Sequence, residues 1–169
     1  FLPPRVLLQQ PKAAVMDIIT LLRLGTATRL AGWTRHDGWS ESNPPCNWFG
    51  ISCSSGQVST LNLYSNDLTG TLPDIFANLP ALVSLLVGYN NLSGTLPRSP
   101  TMQATRFTYL DALVNFLSGM LPDTLSPSLG VVQLQFNALG GFVPTLQGLK
   151  AADGSGSQAA TPSLMAALK

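Results

Sequence analysis

Charge is what this chain has least of. Asp, Glu, Lys and Arg make up 10% of its 169 residues, against about 25% in an ordinary globular domain. The net balance of +1 gives no field that would steer a nucleic acid or an anionic membrane surface. Histidine is nearly absent too: His36 stands alone, in the polar stretch Thr34-Arg-His-Asp37-Gly. One imidazole with no marked nucleophile or orienting acid does not make a hydrolytic triad. The carboxylates are scattered, without the pairing that glycoside hydrolysis needs. Gly154-Ser-Gly156 lacks the preceding strand and the following Lys-Ser/Thr of a phosphate loop. Catalysis is therefore not expected. Cysteine is limited to Cys46 and Cys53. With one distant histidine they cannot fill a closed tetrahedral zinc site, and their spacing is not the C-x-x-C of a redox pair. No metal and no cofactor are expected. Long apolar runs are also missing: the best candidate, residues 13–24, carries Asp17 and Arg23 and falls short of the roughly 18 residues a membrane-spanning helix needs.

What is present is a repeat. Val58-Ser-Thr-Leu61-Asn-Leu63-Tyr-Ser-Asn66-Asp-Leu68-Thr-Gly70-Thr-Leu72-Pro73 lines up with Leu82-Val-Ser-Leu85-Leu-Val87-Gly-Tyr-Asn90-Asn-Leu92-Ser-Gly94-Thr-Leu96-Pro97. Two less regular copies follow. One has Phe107, Leu110, Ala112, Asn115, Leu117, Gly119, Leu121 and Pro122; the other has Leu129, Val132, Leu134, Asn137, Leu139, Gly141, Val143 and Pro144. The asparagines Asn66, Asn90, Asn115 and Asn137 are spaced by 24, 25 and 22 residues. A fixed period of this length predicts a solenoid, since no single coil can bury its own apolar edge. Each L-x-x-L-x-L run predicts a short strand with alternate side chains inward. The Asn amide satisfies backbone groups at the inward bend, and the L-x-G-x-[LV]-P segment predicts a glycine bend and a proline-stiffened return.

Ahead of the repeats, Val15, Ile18, Ile19 and Leu22 lie on one face of a predicted helix over 13–24, which would cap the open end. Trp33 and Asn43-Pro-Pro-Cys46-Asn-Trp48-Phe49-Gly-Ile-Ser-Cys53 come next. A Cys46–Cys53 bridge closes a small loop, locks the cap and argues for an oxidising compartment. The helix, these cap residues and the N-x-L-x-G-x-[IL]-P repeats together resemble the plant-type extracellular leucine-rich-repeat proteins, including receptor-kinase ectodomains and small secreted relatives. The likeness spans roughly residues 13–149. It implies an α/β leucine-rich-repeat solenoid with short parallel strands on the concave side, an irregular or 3-10 convex side and a disulfide-locked helical cap. It also implies secretion and work by binding protein or peptide. The chain departs from that family in its four repeats, its irregular third and fourth coils, and the lack of a second cysteine pair and a kinase domain.

The expected organisation is an extension over 1–12, a cap over 13–57, repeats over 58–81, 82–106, 107–128 and 129–149, and a flexible Gly/Ser-bearing tail over 150–169. The absence of an initiator Met fits a processed or partly reported chain, as a cleaved signal peptide would leave. The strand positions between the inward leucines form four predicted concave rows. These are Thr60-Ser84-Tyr109-Val131, Asn62-Leu86-Asp111-Gln133, Tyr64-Gly88-Leu113-Gln135 and Ser65-Tyr89-Val114-Phe136. Tyr64, Leu86, Tyr89, Tyr109, Leu113, Val114, Val131 and Phe136 then make an apolar, aromatic patch with one outward charge, Asp111. Solvent-facing strand positions are ordinarily polar, and aromatic anchors typify interface centres. Asn91-Leu92-Ser93 is a glycosylation sequon on the turn after the second strand. Two readings follow: a secreted module recognising a protein or peptide, or a permanent structural subunit of a larger assembly, in an organellar lumen or elsewhere. No nucleic-acid partner and no membrane span are expected.

Overall fold

The computed structural model describes residues 12–74, 78–97, 106–121 and 128–140. Residues 1–11 of the expected N-terminal extension, most of the convex arcs, Pro122, Gly141, Val143, Pro144 and the tail over 150–169 lie outside the described residues.

The predicted cap helix forms as α1 (Lys12–Ala27), three residues longer than its apolar pattern at the C-terminal side. The buried stripe is not the expected one: Ile18, Leu21 and Leu24 are buried at a spacing of three, Val15 and Leu22 are half-buried, and Ile19 faces outward at 39% exposure. Asp17 on the same side is buried too, and its Oδ2 accepts the Val58 N–H at 3.2 Å, tying the helix to the first repeat strand. Past the helix, Trp33, Trp39 and Trp48 pack in sequence, the first pair edge-to-face and the second tilted, with ring centroids 4.8 and 4.9 Å apart. Each indole N–H donates to a backbone carbonyl: Thr28, Phe49 and Asn43 respectively. Large apolar area with its one polar atom satisfied is what a buried Trp requires. Cys46 and Cys53 are joined by a disulfide.

The chain then enters the sheets. A hairpin of β1 (Ile51–Ser54) and β2 (Gln57–Asn62) turns at Ser55-Gly56, both at positive φ, the geometry whose twist matches paired strands. From β2 the sheet runs parallel through β4 (Ser84–Leu86), β6 (Tyr109–Asp111) and β8 (Val131–Gln133), in the order β1-β2-β4-β6-β8. The register sets Thr60 beside Ser84, Tyr109 and Val131, and Asn62 beside Leu86, Asp111 and Gln133. Leu61, Leu85, Leu110 and Val132 form one buried row, and Leu63, Val87, Ala112 and Leu134 are the next.

The asparagines close the turns by reaching backward along the array. Asn90 Oδ1 accepts the N–H groups of Asn66 and Leu68, at 3.0 and 2.9 Å, while its Nδ2 donates to the carbonyls of Leu63, Val87 and Gly88. Asn115 accepts from Leu92, and Asn137 accepts from Leu117. Asn66 makes the same exchange with the cap, through both backbone groups of Arg35.

After each Asn the structure differs from the expected bend and return. The L-x-G-x segment is a second parallel ladder, β3 (Thr69–Thr71), β5 (Asn91–Gly94), β7 (Phe116–Met120) and β9 (Ala138–Gly140). Its register is sheared, with Gly70 beside Leu92, Gly94 beside Leu117 and Gly119 beside Leu139. The first sheet carries no such offset, so successive coils are rotated as well as stacked. Gly70, Gly94 and Gly119 all sit near φ +80, and a Cβ at Gly70 would lie 2.3 Å from the Ala27 carbonyl oxygen. Only glycine combines that backbone with that approach.

Candidate functional site

The concave face begins where the first-sheet strands end. Tyr64 and Tyr89 stand 41% and 49% exposed, their rings tilted against each other with centroids 5.1 Å apart. Gly88, between them in sequence rows, forms the floor. A Cβ there would fall 2.9 Å from the Tyr64 ring and 2.6 Å from Asp111 Oδ1. Side chains of the first and third coils therefore meet over the second, in space that only a glycine leaves open.

Asp111 departs from the expectation of a single outward charge. It lies on the concave sheet, but it is only 4% exposed. Its Oδ1 accepts the Leu113 N–H at 3.1 Å, and burial raises its pKa above the ordinary carboxylate value against that bond's lowering effect. Burial comes first among the causes that raise the Tyr64 pKa as well, followed by the nearby Tyr89 and Asp111. Burial thus penalises the charged form of the carboxylate and of the adjoining phenol alike.

Leu86, Tyr109, Leu113, Val114 and Val131 are half-buried, and Phe136 is 77% exposed. The row expected at strand positions, Ser65-Tyr89-Val114-Phe136, lies instead past the strand ends in a left-handed turn, with φ between 48 and 59. Its side chains leave from the turn rather than from the pleat. Val114 is the costly member, because a branched Cβ is crowded in that region. Asn91 also moves: it is exposed as the first residue of β5 in the second sheet, and Ser93 Oγ donates to the Gly70 carbonyl.

The sequence reading missed two features. Gly88 makes room for Tyr64 and Asp111, and its only signal was a glycine in a row of larger residues. Phe116 and Met120 in β7 are exposed, at 64% and 53%. Phe116 follows Asn115 where the first two repeats have Asp67 and Asn91, a substitution visible in the alignment of repeats. His36 is exposed at the cap. Among the described residues no group of three or more His, Cys, Asp or Glu could hold a metal ion, and no helix is long and apolar enough to cross a membrane.

Residues 57–79 match the family model described as Leucine Rich Repeat. The chain is 35% identical over 111 residues to Receptor-like protein kinase 7 of Arabidopsis thaliana, covering 63% of this chain and 11% of that one. It thus spans about a tenth of the length of the curated relatives it matches. Among solved structures it is similar to Pollen Receptor Kinase 3, at 32% identity and a TM-score of 0.62, covering 76% of this chain and 67% of the other. It is also similar to the receptor kinase HAESA of Arabidopsis in complex with the peptide hormone IDA and the co-receptor SERK1. There the identity is 27% and the TM-score 0.65, over 80% of this chain and 24% of that one.

Proposed function

The chain belongs to the plant-type extracellular leucine-rich-repeat proteins of the receptor-kinase ectodomain kind, and from that premise we propose that it is a non-catalytic, extracellular interaction module. It binds a protein or peptide partner across its concave strand face. The observation that carries this reading is the exposed aromatic set Tyr64, Tyr89 and Phe136 on one side of the array. Rigid aromatic surface of this kind supplies binding energy at low entropic cost, and folding does not require it to face water. The solved HAESA complex, which holds a peptide hormone, supports the same use of a related scaffold. The disulfide supports an oxidising location.

The test is a photo-reactive residue placed at Tyr89 or Phe136 and, as a control, at Met16 on α1. The prediction is a cross-linked partner species from the concave positions and none from Met16, together with at least about tenfold weaker partner binding by Tyr89→Ala/Phe136→Ala at unchanged Tm. Unchanged binding by that double variant would sink the concave-face reading. A second reading, a permanent subunit of a larger assembly, is favoured by Phe116 and Met120, which are exposed in the second sheet, off the concave rows. Light scattering on material purified gently from the native source separates the two. A species near 17.9 kDa, glycan allowed for, means a free module; a stable large complex means a subunit.

A further inference from the structure

The concave face has one charged group among the described members of its four rows, Asp111, and the fold does not explain why it is charged. The hydrogen bond it makes closes a turn at the end of β6, from the Leu113 N–H. In the first coil the same turn bond is made by Asn62, whose Oδ1 accepts the Tyr64 N–H at 3.3 Å. A neutral amide therefore serves the backbone equally well at this position. Placing a carboxylate there instead costs desolvation, and among the described residues no cation pairs with Asp111 to repay it. Residues that cost stability without a structural return are where function is to be sought.

The surroundings say what would repay it. Tyr64 lies over Gly88 against the Asp111 carboxylate, Tyr89 adds a second ring 5.1 Å from the first, and Tyr109 is two positions before Asp111 on the same strand. The carboxylate and the half-exposed Tyr64 ring both crowd the space above Gly88, 2.6 and 2.9 Å from a Cβ placed there. Aromatic faces beside a desolvated carboxylate are complementary to a planar cation, which stacks on the rings and hydrogen-bonds the oxygens. We infer that Asp111, with Tyr64, Tyr89 and Tyr109, forms a specificity pocket for an arginine side chain of the partner. This deepens the concave-face reading and rests on it. Arginine fits better than lysine because its fork satisfies the carboxylate while its face lies on the tyrosines.

The test uses the full chain, labelled with nitrogen-15, titrated with acetyl-Gly-Gly-Arg-Gly-Gly-amide and with its citrulline twin. Citrulline keeps the shape and removes the charge. The expected result is a saturable shift of the Leu113 and Gly88 amides with the arginine peptide, about tenfold stronger than with citrulline. Asp111→Asn should erase the difference between the two peptides while Tm holds or rises, since Asn62 shows that an amide suits the turn. Equal shifts with both peptides would overturn the arginine pocket and leave concave-face docking standing. No shift at Leu113 and Gly88 with the arginine peptide, or a retained preference in Asp111→Asn, would overturn it too. The Tyr89/Phe136 double variant, scored on partner binding, reports on the broader reading separately.

Discussion

Among the described residues of the repeats, replacing Asn90 by alanine removes the most side-chain hydrogen bonds, five. The side chain is 6% exposed. Its oxygen accepts two backbone N–H groups and its amide donates to three carbonyls. Three of these five bonds join the second coil to the first. An alanine fills none of them and leaves a space that water does not easily enter. Each buried backbone donor stranded in this way costs about 1–3 kcal/mol, and carbonyls with a second lone pair engaged cost less. The two N–H groups alone therefore set a loss of roughly 2–6 kcal/mol, a large share of the 5–15 kcal/mol that domains usually possess. Urea unfolding is the assay, with Asn91→Ala beside it as the exposed neighbour, expected within about 0.5 kcal/mol of the parent. Two probes sharpen the result. All three tryptophans lie in the cap, so their fluorescence reports that end, whereas circular dichroism reports the sheets. If Asn90 couples cap and first coil to the rest, the two transitions separate in the variant and coincide in the parent. A loss below about 1 kcal/mol with coincident transitions would refute the claim that this amide holds the coils together.

Three further outcomes are expected. Reducing the Cys46–Cys53 bridge should cost about 2 kcal/mol, since the closed loop is short, and Tm with and without a phosphine reductant measures it. Two free thiols by mass spectrometry in natively purified material would remove the basis for an oxidising location. Leu63→Asp should prevent the array from folding, because the site is fully buried and offers a carboxylate no partner; a native circular dichroism spectrum would contradict it. For pH, Asp17 and Asp111 both have pKa values raised mainly by burial. The folded state then holds protons that the unfolded state releases, so their contribution is full below about 4 and is lost as pH rises through the folded values. Asp17→Asn/Asp111→Asn should flatten this decline in a Tm-versus-pH series, and an unchanged slope would show that neither burial costs anything.

The concave sheet was legible because its signal is redundant. Leu61, Leu63, Leu85 and Val87 repeat at one offset, so the register of the strands follows from alignment of the repeats alone. The cap was legible from Trp33, Trp48 and the paired cysteines for a similar reason: few arrangements bury large indoles in so short a stretch. The second ladder was hidden because its strands are three to five residues long and its glycines sit beside the leucines of the following coil, an offset that alignment of repeats conceals. Asp111 misled for a different reason. Whether a concave residue faces water depends on its neighbours one coil away, and here Gly88 lets the carboxylate sink beside Tyr64. Periodicity assigns a side to each residue, but depth is decided by the sizes of residues across the ladder.

The direction in which the asparagines reach carries a consequence for the order of assembly. Asn66 serves the cap, Asn90 serves the first coil, Asn115 the second and Asn137 the third. During synthesis a coil that has just emerged still lacks the amide that will complete its turn, and it must wait for the next asparagine to leave the ribosome. Maturation thus lags elongation by one coil, whatever the total number. The same hand-off tells which length changes in the gene leave the scheme intact. Removing or duplicating a whole unit from one asparagine to the next passes the bond to an equivalent neighbour, whereas a half-unit change leaves one turn whose N–H groups find no amide oxygen on the coil ahead.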